Sequence, residues 1–349
     1  MFPPTGFYDP EDHIVCKLSK AIYGLRSSPK PWQNHLAETL QQLGVQRLTS
    51  EPNVFKTATG NAFILVYVDD LLFLGQPTVV NKLFADIQQQ LLLRPTGDLT
   101  VGNNVNFLGR SISNKGNYYE ISLATTYTTE LLKEADMLNR NASPAPGTKA
   151  TSTDVEQPLT TEERKVYRRA VGKLQRMTYT RPDISYATKE LARSLTQPTT
   201  LDQQKLKHLL RYIKGTQHYR FYVRPAVRTM DTTPDLDVFV DSDWAGCATT
   251  RKSTSGFVIK FGSTIHFGSR AQATIALSSA EAELYAINTG ATESLHIRNI
   301  LQEALNVKKV NIRIHTDSSS GKSMADPRRK QSTSSSNTFP FNNWCSTIL

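Results

Sequence analysis

The sequence predicts a multidomain chain of mixed class, an α+β part followed by an α/β part. Three observations predict it. The chain has 349 residues, enough for two or three domains, each with a sizeable core. An apolar, strand-forming run from Phe63 to Gly75, FILVYVDDLLFLG, is interrupted in its middle by two adjacent carboxylates. From Leu236 onward, strand-like stretches are followed by one long helical stretch and a further strand, the order of a small mixed sheet with a helix across it.

Taken in order, the first 14 residues are rich in Pro and Gly and read as loop. Trp32, Leu36, Leu40 and Leu43 recur at helical spacing, so a helix is expected over Pro31–Leu43, stopped by Gly44. Strands are expected at Val54–Phe55 and Phe63–Val68, around the turn Thr59-Gly60-Asn61, with Leu71–Leu74 returning after Asp69-Asp70. Val79–Leu92 is amphipathic. Val105–Ser111 and Tyr118–Ser122 pattern as a hairpin turning at Asn114-Lys115-Gly116, and Thr126–Leu138 as a helix. Residues 141–161 carry many Pro, Ser, Thr and Ala and read as a linker. Helices follow at Val166–Tyr179 and Ile184–Leu195, with Asp183 placed to cap the second and Pro182 blocking continuation of the first. A third helix, Leu201–Ile213, carries Lys205, Lys207, His208, Arg211 and, just beyond it, Lys214; such a stripe is either a solvated face or a track for a phosphate backbone. A second linker spans Pro225–Pro234. Then come a strand at Leu236–Asp241 and a hairpin of Gly256–Phe261 with Thr264–Ser269. A helix from Ser278 to Leu305 opens with a Ser278/Glu281 capping box, and a strand at Val310–His315 delivers Asp317.

Composition narrows the class. Hydrophobic and charged contents of 38% and 21% are those of an ordinary soluble protein. A net charge of +10 is compatible with a polyanionic partner. Cys16, Cys247 and Cys345 are far apart and lack metal or disulfide spacing, which reads as reduced thiols in an intracellular protein, cytoplasmic or nuclear. The N-terminus has no signal-peptide pattern and no apolar run reaches membrane-spanning length.

Two carboxylate groupings carry chemistry. Asp69 and Asp70 interrupt an apolar run, and a strand points neighbours to opposite faces, so both cannot share a polar outer face. A tight turn, a cation, or both would resolve this. Asp241 ends one strand, Asp317 follows another, and Glu283 lies one turn into the helix between them. These three can meet at one sheet edge, where their repulsion calls for divalent cations. Oxygen ligands favour Mg²⁺ or Mn²⁺. The plain alternative is three ordinary carboxylates, in a turn, at a helix start and at a strand end. Asp243 lies close by, and the strand-end position favours Asp241.

Eight stretches occur together in a fixed order: VCKLSKAIYGLRSSPKPW (15–32), ILVYVDDLLFLG (64–75), NFLGRSIS (106–113), YRRAVGKLQRMTYTRPDISYAT (167–188), LLRYIKGT (209–216), DSDWAGCATTRKSTSGFV (241–258), ALSSAEAEL (276–284) and IHTDSSSGK (314–322). On these the chain resembles the C-terminal part of the Pol polyprotein of copia-type long-terminal-repeat retrotransposons. The resemblance implies a partial reverse transcriptase palm and thumb over 1–140, a linker over 141–161, a helical connection over 162–224 and a ribonuclease H-like domain over 235–325. It implies that Asp69 and Asp70 are two of three polymerase metal-binding carboxylates and that Phe107-Leu108-Gly109 holds the primer end. It also implies that Asp241, Glu283 and Asp317 are the first three ribonuclease H acids, with Mg²⁺ or Mn²⁺ at both sites and an RNA–DNA hybrid as partner.

Two departures qualify this. The third polymerase Asp precedes the VCKL-type stretch in the family, so fingers and the first palm Asp are expected to be missing and no polymerase activity is expected from this chain alone. After Asp326 the family's Lys-His-Ile segment, near its fourth ribonuclease H ligand, is replaced by a Ser/Thr/Asn-rich tail. Codons for Gln331–Asn337 can be chosen that read Lys-His-Ile-Gln-Leu-Lys in a shifted frame, so residues 326–349 are expected to be a disordered, frameshifted tail. The alternatives to a ribonuclease H fragment are an inactive nucleic-acid-binding remnant and a co-opted interaction protein.

Overall fold

The computed structural model describes residues 15–147, 156–225 and 233–325, apart from positions 21, 23 and 248. The expected tail at 326–349, residues 148–155 of the first linker and residues 226–232 of the second lie outside the described residues. The described residues form a mixed α/β structure with three separate four-stranded sheets, and they divide into two compact units, one within 1–95 with 300–306 and the other within 96–299 with 307–325.

The first unit is an antiparallel meander backed by two helices. Helix α1 (Pro29–Gln42) has prolines in its first turn, where the missing N–H costs nothing, and Gly44, at φ 77°, leaves it in the left-handed conformation. Strands β1 (Val45–Arg47), β2 (Val54–Thr57), β3 (Ala62–Tyr67) and β4 (Asp70–Gly75) follow in spatial as well as chain order, and α2 (Pro77–Gln88) closes the unit. Alternation in β3 sends Ala62, Ile64 and Val66 inward. Ile64 and Val66 pack with Phe55 against Leu36 and Leu40 of α1 and Leu83 and Ile87 of α2.

The hairpin tip differs in detail from expectation. Tyr67 pairs with Asp70, so the two-residue turn is Val68-Asp69, and Asp70 already begins the returning strand. Val68 sits at φ 53°, where a β-branched residue pays roughly 1–2 kcal/mol. The Trp32 indole N–H donates to the Val68 carbonyl at 2.7 Å, so a side chain from α1 braces the strained turn.

The second unit begins with a sheet of β5 (Asn104–Phe107), β6 (Arg110–Asn114) and β7 (Tyr119–Leu123), to which β8 (Phe221–Val223) adds after a long excursion. The sequence reads 105–111 as one strand; the structure folds it back at Leu108-Gly109. Both residues have positive φ, 51° and 71°, the geometry a two-residue hairpin needs. The excursion between β7 and β8 is helical: α3 (Thr125–Glu134), α4 (Thr161–Thr178), a 3-10 turn at Pro182–Ile184, α5 (Ser185–Arg193) and α6 (Thr200–Gly215). Tyr167, Val171 and Leu174 of α4, Leu191 of α5 and Leu206, Leu209 and Ile213 of α6 form its core with Leu131 and Leu132.

One expectation on this helical part is corrected. Asp183 makes no cap for the following helix. Its carboxylate is gripped by the Arg181 guanidinium at 2.9 and 2.7 Å, and accepts from the Tyr212 hydroxyl at 2.9 Å. Arg181 is 7% exposed and also donates to the carbonyl and hydroxyl of Thr216. A buried guanidinium needs such a set of acceptors, and that demand outweighs a helix cap. Burial pushes the Asp183 carboxyl up, but the Arg181 hydrogen bonds and charge, together with the Tyr212 hydroxyl, hold the group below its ordinary value. The α6 stripe is tied in part to the backbone beside it. Arg211 donates to the Asn141 carbonyl at 2.6 Å and Lys214 to that of Arg140 at 2.5 Å. His208 Nε2 lies 3.0 Å from the Ala145 carbonyl. These side chains satisfy an irregular backbone that has no ladder of its own.

The last sheet has the order β11-β10-β9-β12, from β9 (Asp235–Asp243), β10 (Thr254–Phe261), β11 (Ser263–Ala271) and β12 (Asn311–His315). β12 runs parallel to β9, which requires a crossover; α7 (Ser279–Leu305) supplies it. Leu236, Val238 and Val240 of β9 alternate inward. Gly290 of α7 lies against them: a Cβ there would collide with Val240 Cγ1 and sit 3.0 Å from Val238 Cγ1. A short helix α8 (Ser319–Ala325) follows.

Candidate functional site

The site forms where β9, β12 and the start of α7 come together. His315 pairs with Phe239 in the parallel ladder, so Asp317, two residues on, is carried level with Asp241. Ser278 caps α7 by accepting from the Glu281 amide at 3.2 Å, and Glu281 reaches back to the Leu277 amide at 2.8 Å. That start places Glu283 over the strand ends. Ligand oxygens of Asp241, Glu283 and Asp317 lie within 4.8 Å of one another. At 4.8 Å two unit charges repel by about 3.5 kcal/mol in an effective dielectric near 20, before solvent screening reduces it.

The two Asp are exposed and Glu283 is half-buried. Ser242 Oγ donates to Glu283 Oε1 at 2.8 Å, and the Ser242 amide donates to Asp241 Oδ1, also at 2.8 Å. Glu283 Oε2 is buried with no hydrogen-bond partner among the described residues. Burial pushes the Glu283 carboxyl above its ordinary value, and the charges of Asp241 and Asp317 add to the rise against the Ser242 bonds. A buried, orphaned carboxylate oxygen beside two exposed carboxylates is a set of hard oxygen donors lacking a positive charge, and it fits a divalent cation of the Mg²⁺ or Mn²⁺ kind.

The raised Glu283 value makes a pH prediction. Without metal the fold favours the protonated carboxyl, so its contribution to stability is full below the ordinary value of 4.5 and is lost as pH rises through the higher folded value. In chelator, Glu283→Gln is expected to melt above the parent at neutral pH. The gap should close in melts run below about pH 4, where both forms are neutral.

Asp243 does not join the cluster. It accepts from the Tyr186 hydroxyl at 3.0 Å and from the backbone amide of its ladder partner Thr254. Asp69 and Asp70 are both exposed at the β3–β4 tip in the first unit, and among the described residues no third metal-ligating side chain joins them.

Sequence reasoning missed a buried polar layer beneath the triad. Ser253, Thr254 and Ser255 are all nearly fully buried. Ser253 Oγ accepts from the Ala245 amide at 2.9 Å. Gln272 donates from one amide group to Ser255 Oγ at 3.0 Å and to the Ala282 carbonyl at 2.8 Å, tying the residue before Glu283 to the sheet. The available signal was three consecutive hydroxyl residues opening an apolar strand, where alternation predicts a polar residue only at every second position.

Comparison with known proteins agrees on lineage. A family model described as reverse transcriptase (RNA-dependent DNA polymerase) matches residues 1–149. The chain is 30% identical over 308 residues to the retrovirus-related Pol polyprotein from transposon RE1 of Arabidopsis thaliana, covering 87% of this chain and 20% of that protein. It is 31% identical over 319 residues to the Pol polyprotein from transposon TNT 1-94 of Nicotiana tabacum, 87% of this chain and 23% of that one. It is also 32% identical over 233 residues to an uncharacterized mitochondrial protein of Arabidopsis thaliana, 66% of this chain and 92% of that one. Among solved structures, a foamy viral protease–reverse transcriptase in complex with an RNA/DNA hybrid aligns with TM-score 0.42 and 12% identity, over 93% of this chain and 36% of that one. The chain thus spans about a fifth of the length of the curated Pol relatives it matches. No helix among the described residues is long and apolar enough to cross a membrane. Its order of motifs, the match at its N-terminal end and its identity to Pol polyproteins over most of its length place the chain in the reverse transcriptase-bearing Pol family of copia-type retrotransposons.

Proposed function

We propose that residues 235–325 act as a ribonuclease H-like nuclease that hydrolyses the RNA strand of an RNA–DNA hybrid. The observation that carries this reading is the convergence of Asp241, Glu283 and Asp317 with one buried Glu283 oxygen that has no partner among the described residues. Asp241, Glu283 and Asp317 would hold Mg²⁺ or Mn²⁺. Bound there, a divalent cation supplies charge for the phosphodiester oxygens and makes a water more acidic. The chain's own residues do the rest. Ser242 fixes Glu283 through Oε1 and leaves Oε2 for a cation, and the exposed Asp pair keeps one side open to substrate. Preference for a hybrid would come from duplex shape and the 2′-hydroxyl, not base sequence.

Asp69 and Asp70 are, on the same reading, polymerase metal-binding carboxylates at a hairpin tip, in the segment that the reverse transcriptase family model matches.

The test is purified full chain with an end-labelled RNA–DNA hybrid in Mn²⁺. RNA-strand cleavage that stops on adding EDTA is the expected result. Hybrid binding without cleavage would instead favour an inactive nucleic-acid-binding remnant.

A further inference from the structure

Asp243 stands two residues beyond Asp241 on β9 and is the point where three pieces of backbone meet. Its Oδ1 accepts the Thr254 amide at the start of β10. Its Oδ2 accepts the Tyr186 hydroxyl of α5 at 3.0 Å. The turn after β9 closes over the same carboxylate, since a Cβ on Gly246 would collide with Asp243 Oδ2. A second strut runs alongside: Lys189, one turn further along α5, donates to Thr254 Oγ1 at 2.5 Å and is steadied by Glu190. Both α5 side chains therefore end on one ladder pair, Asp243 and Thr254.

We propose that Asp243 is a positioning residue, through which Tyr186 of α5, with Lys189 acting on Thr254, holds the end of β9 so that Asp241 meets Glu283 and Asp317. The inference rests on the metal-centre reading above. Strand ends fray because they lack one side of the ladder, and a metal ligand on a fraying end loses affinity through the disorder it must give up on binding. Asp243 removes that freedom by bonding across the ladder and out to a helix. Burial and the neighbouring Asp243 push the Tyr186 hydroxyl up to about 12, so it remains a donor throughout the neutral range. The helical segment is, in this account, part of the nuclease and not a spacer before it.

The experiment is Mn²⁺ titration followed by electron paramagnetic resonance on the full chain, beside hybrid cleavage. Asp243→Ala should weaken Mn²⁺ binding by ~10-fold, the effect typical of losing a group that orients a ligand, and lower kcat with KM for the hybrid unchanged. Asp243→Asn keeps an oxygen for the Thr254 amide and should recover most of the loss. Tyr186→Phe removes one hydroxyl from a half-exposed ring and should shift affinity the same way by less; it decides the matter if Asp243→Ala does not fold. Parent-like Mn²⁺ affinity in Tyr186→Phe and in any folded Asp243→Ala overturns the inference. Asp241→Asn separates the two levels. If it abolishes Mn²⁺ binding while the other variants bind as the parent does, only the positioning role fails. A parent that binds no Mn²⁺, or binds it independently of Asp241, overturns the metal-centre reading and this inference with it.

Discussion

Asp241→Asn is expected to reduce RNA-strand cleavage by more than ~100-fold, beyond what loss of an orienting partner causes. Asn is nearly isosteric and can still accept the Ser242 amide bond at 2.8 Å, so the backbone at the end of β9 keeps its local contact. What disappears is one of three negative charges that lie within 4.8 Å of one another. In the metal-free chain that removes two repulsive pairs, each about 3.5 kcal/mol at 4.8 Å in an effective dielectric near 20 and less once screened, and the melting temperature should hold or rise. Lower activity together with an undiminished melting temperature is a combination that simple unfolding cannot produce. Cleavage at the parent rate in Asp241→Asn would remove the triad from the reaction.

Gly290→Leu is expected to destabilise the last sheet by about 3 kcal/mol or more, at the upper end of overpacking costs. The position is buried, and even a Cβ would meet the Val240 and Val238 methyls. Gly290→Ala is a milder case, because about 1 kcal/mol of helix propensity is regained against the clash. Leu has no such balance: its branched end must displace α7 from β9. Glu283 rides on the same helix two turns earlier, so the variant should also lose Mn²⁺ affinity in whatever fraction stays folded. Urea denaturation followed by circular dichroism, with Gly290→Ala alongside, measures the first effect. A midpoint for Gly290→Leu equal to the parent would show that α7 can lift off the sheet without cost.

The sequence made some of this legible and hid the rest for identifiable reasons. Strict alternation fixes β3 and β9, because one face of each is buried and a slip of one residue would expose the whole apolar set. The Ser278/Glu281 pair marks the start of α7, and with it the height of Glu283. The positions of Asp241 and Asp317 at neighbouring strand ends follow from the pattern; their chemical role is a proposal. The turn at Leu108-Gly109 was hidden because its first residue is Leu, where Asn or Asp commonly signals such a turn. A Cβ on Gly109 would collide with the Arg176 guanidinium, a contact 67 positions away in sequence that no local rule can see. Asp183 was misread for a similar reason. A Pro-Asp pair before a helix suggests a cap, but the partner that claims the carboxylate is Arg181, whose own burial depends on Thr216 and so on the far end of α6.

The basic side chains of α6 have a consequence for how the chain would meet a polyanion. Arg211 and Lys214 point their donors at carbonyls of residues 140 and 141, and Lys205 lies beside Asp202. A carbonyl acceptor fixes where the charge of Arg211 and Lys214 sits without cancelling it, whereas a carboxylate acceptor partly offsets the charge of Lys205. The steepness of log affinity against log salt reports the number of displaced ions, near 0.9 per phosphate neutralised on a duplex. Only Lys205 therefore adds less to that slope than its formal charge, while Arg211 and Lys214 hold residues 140 and 141 in place and keep their charge for a polyanion.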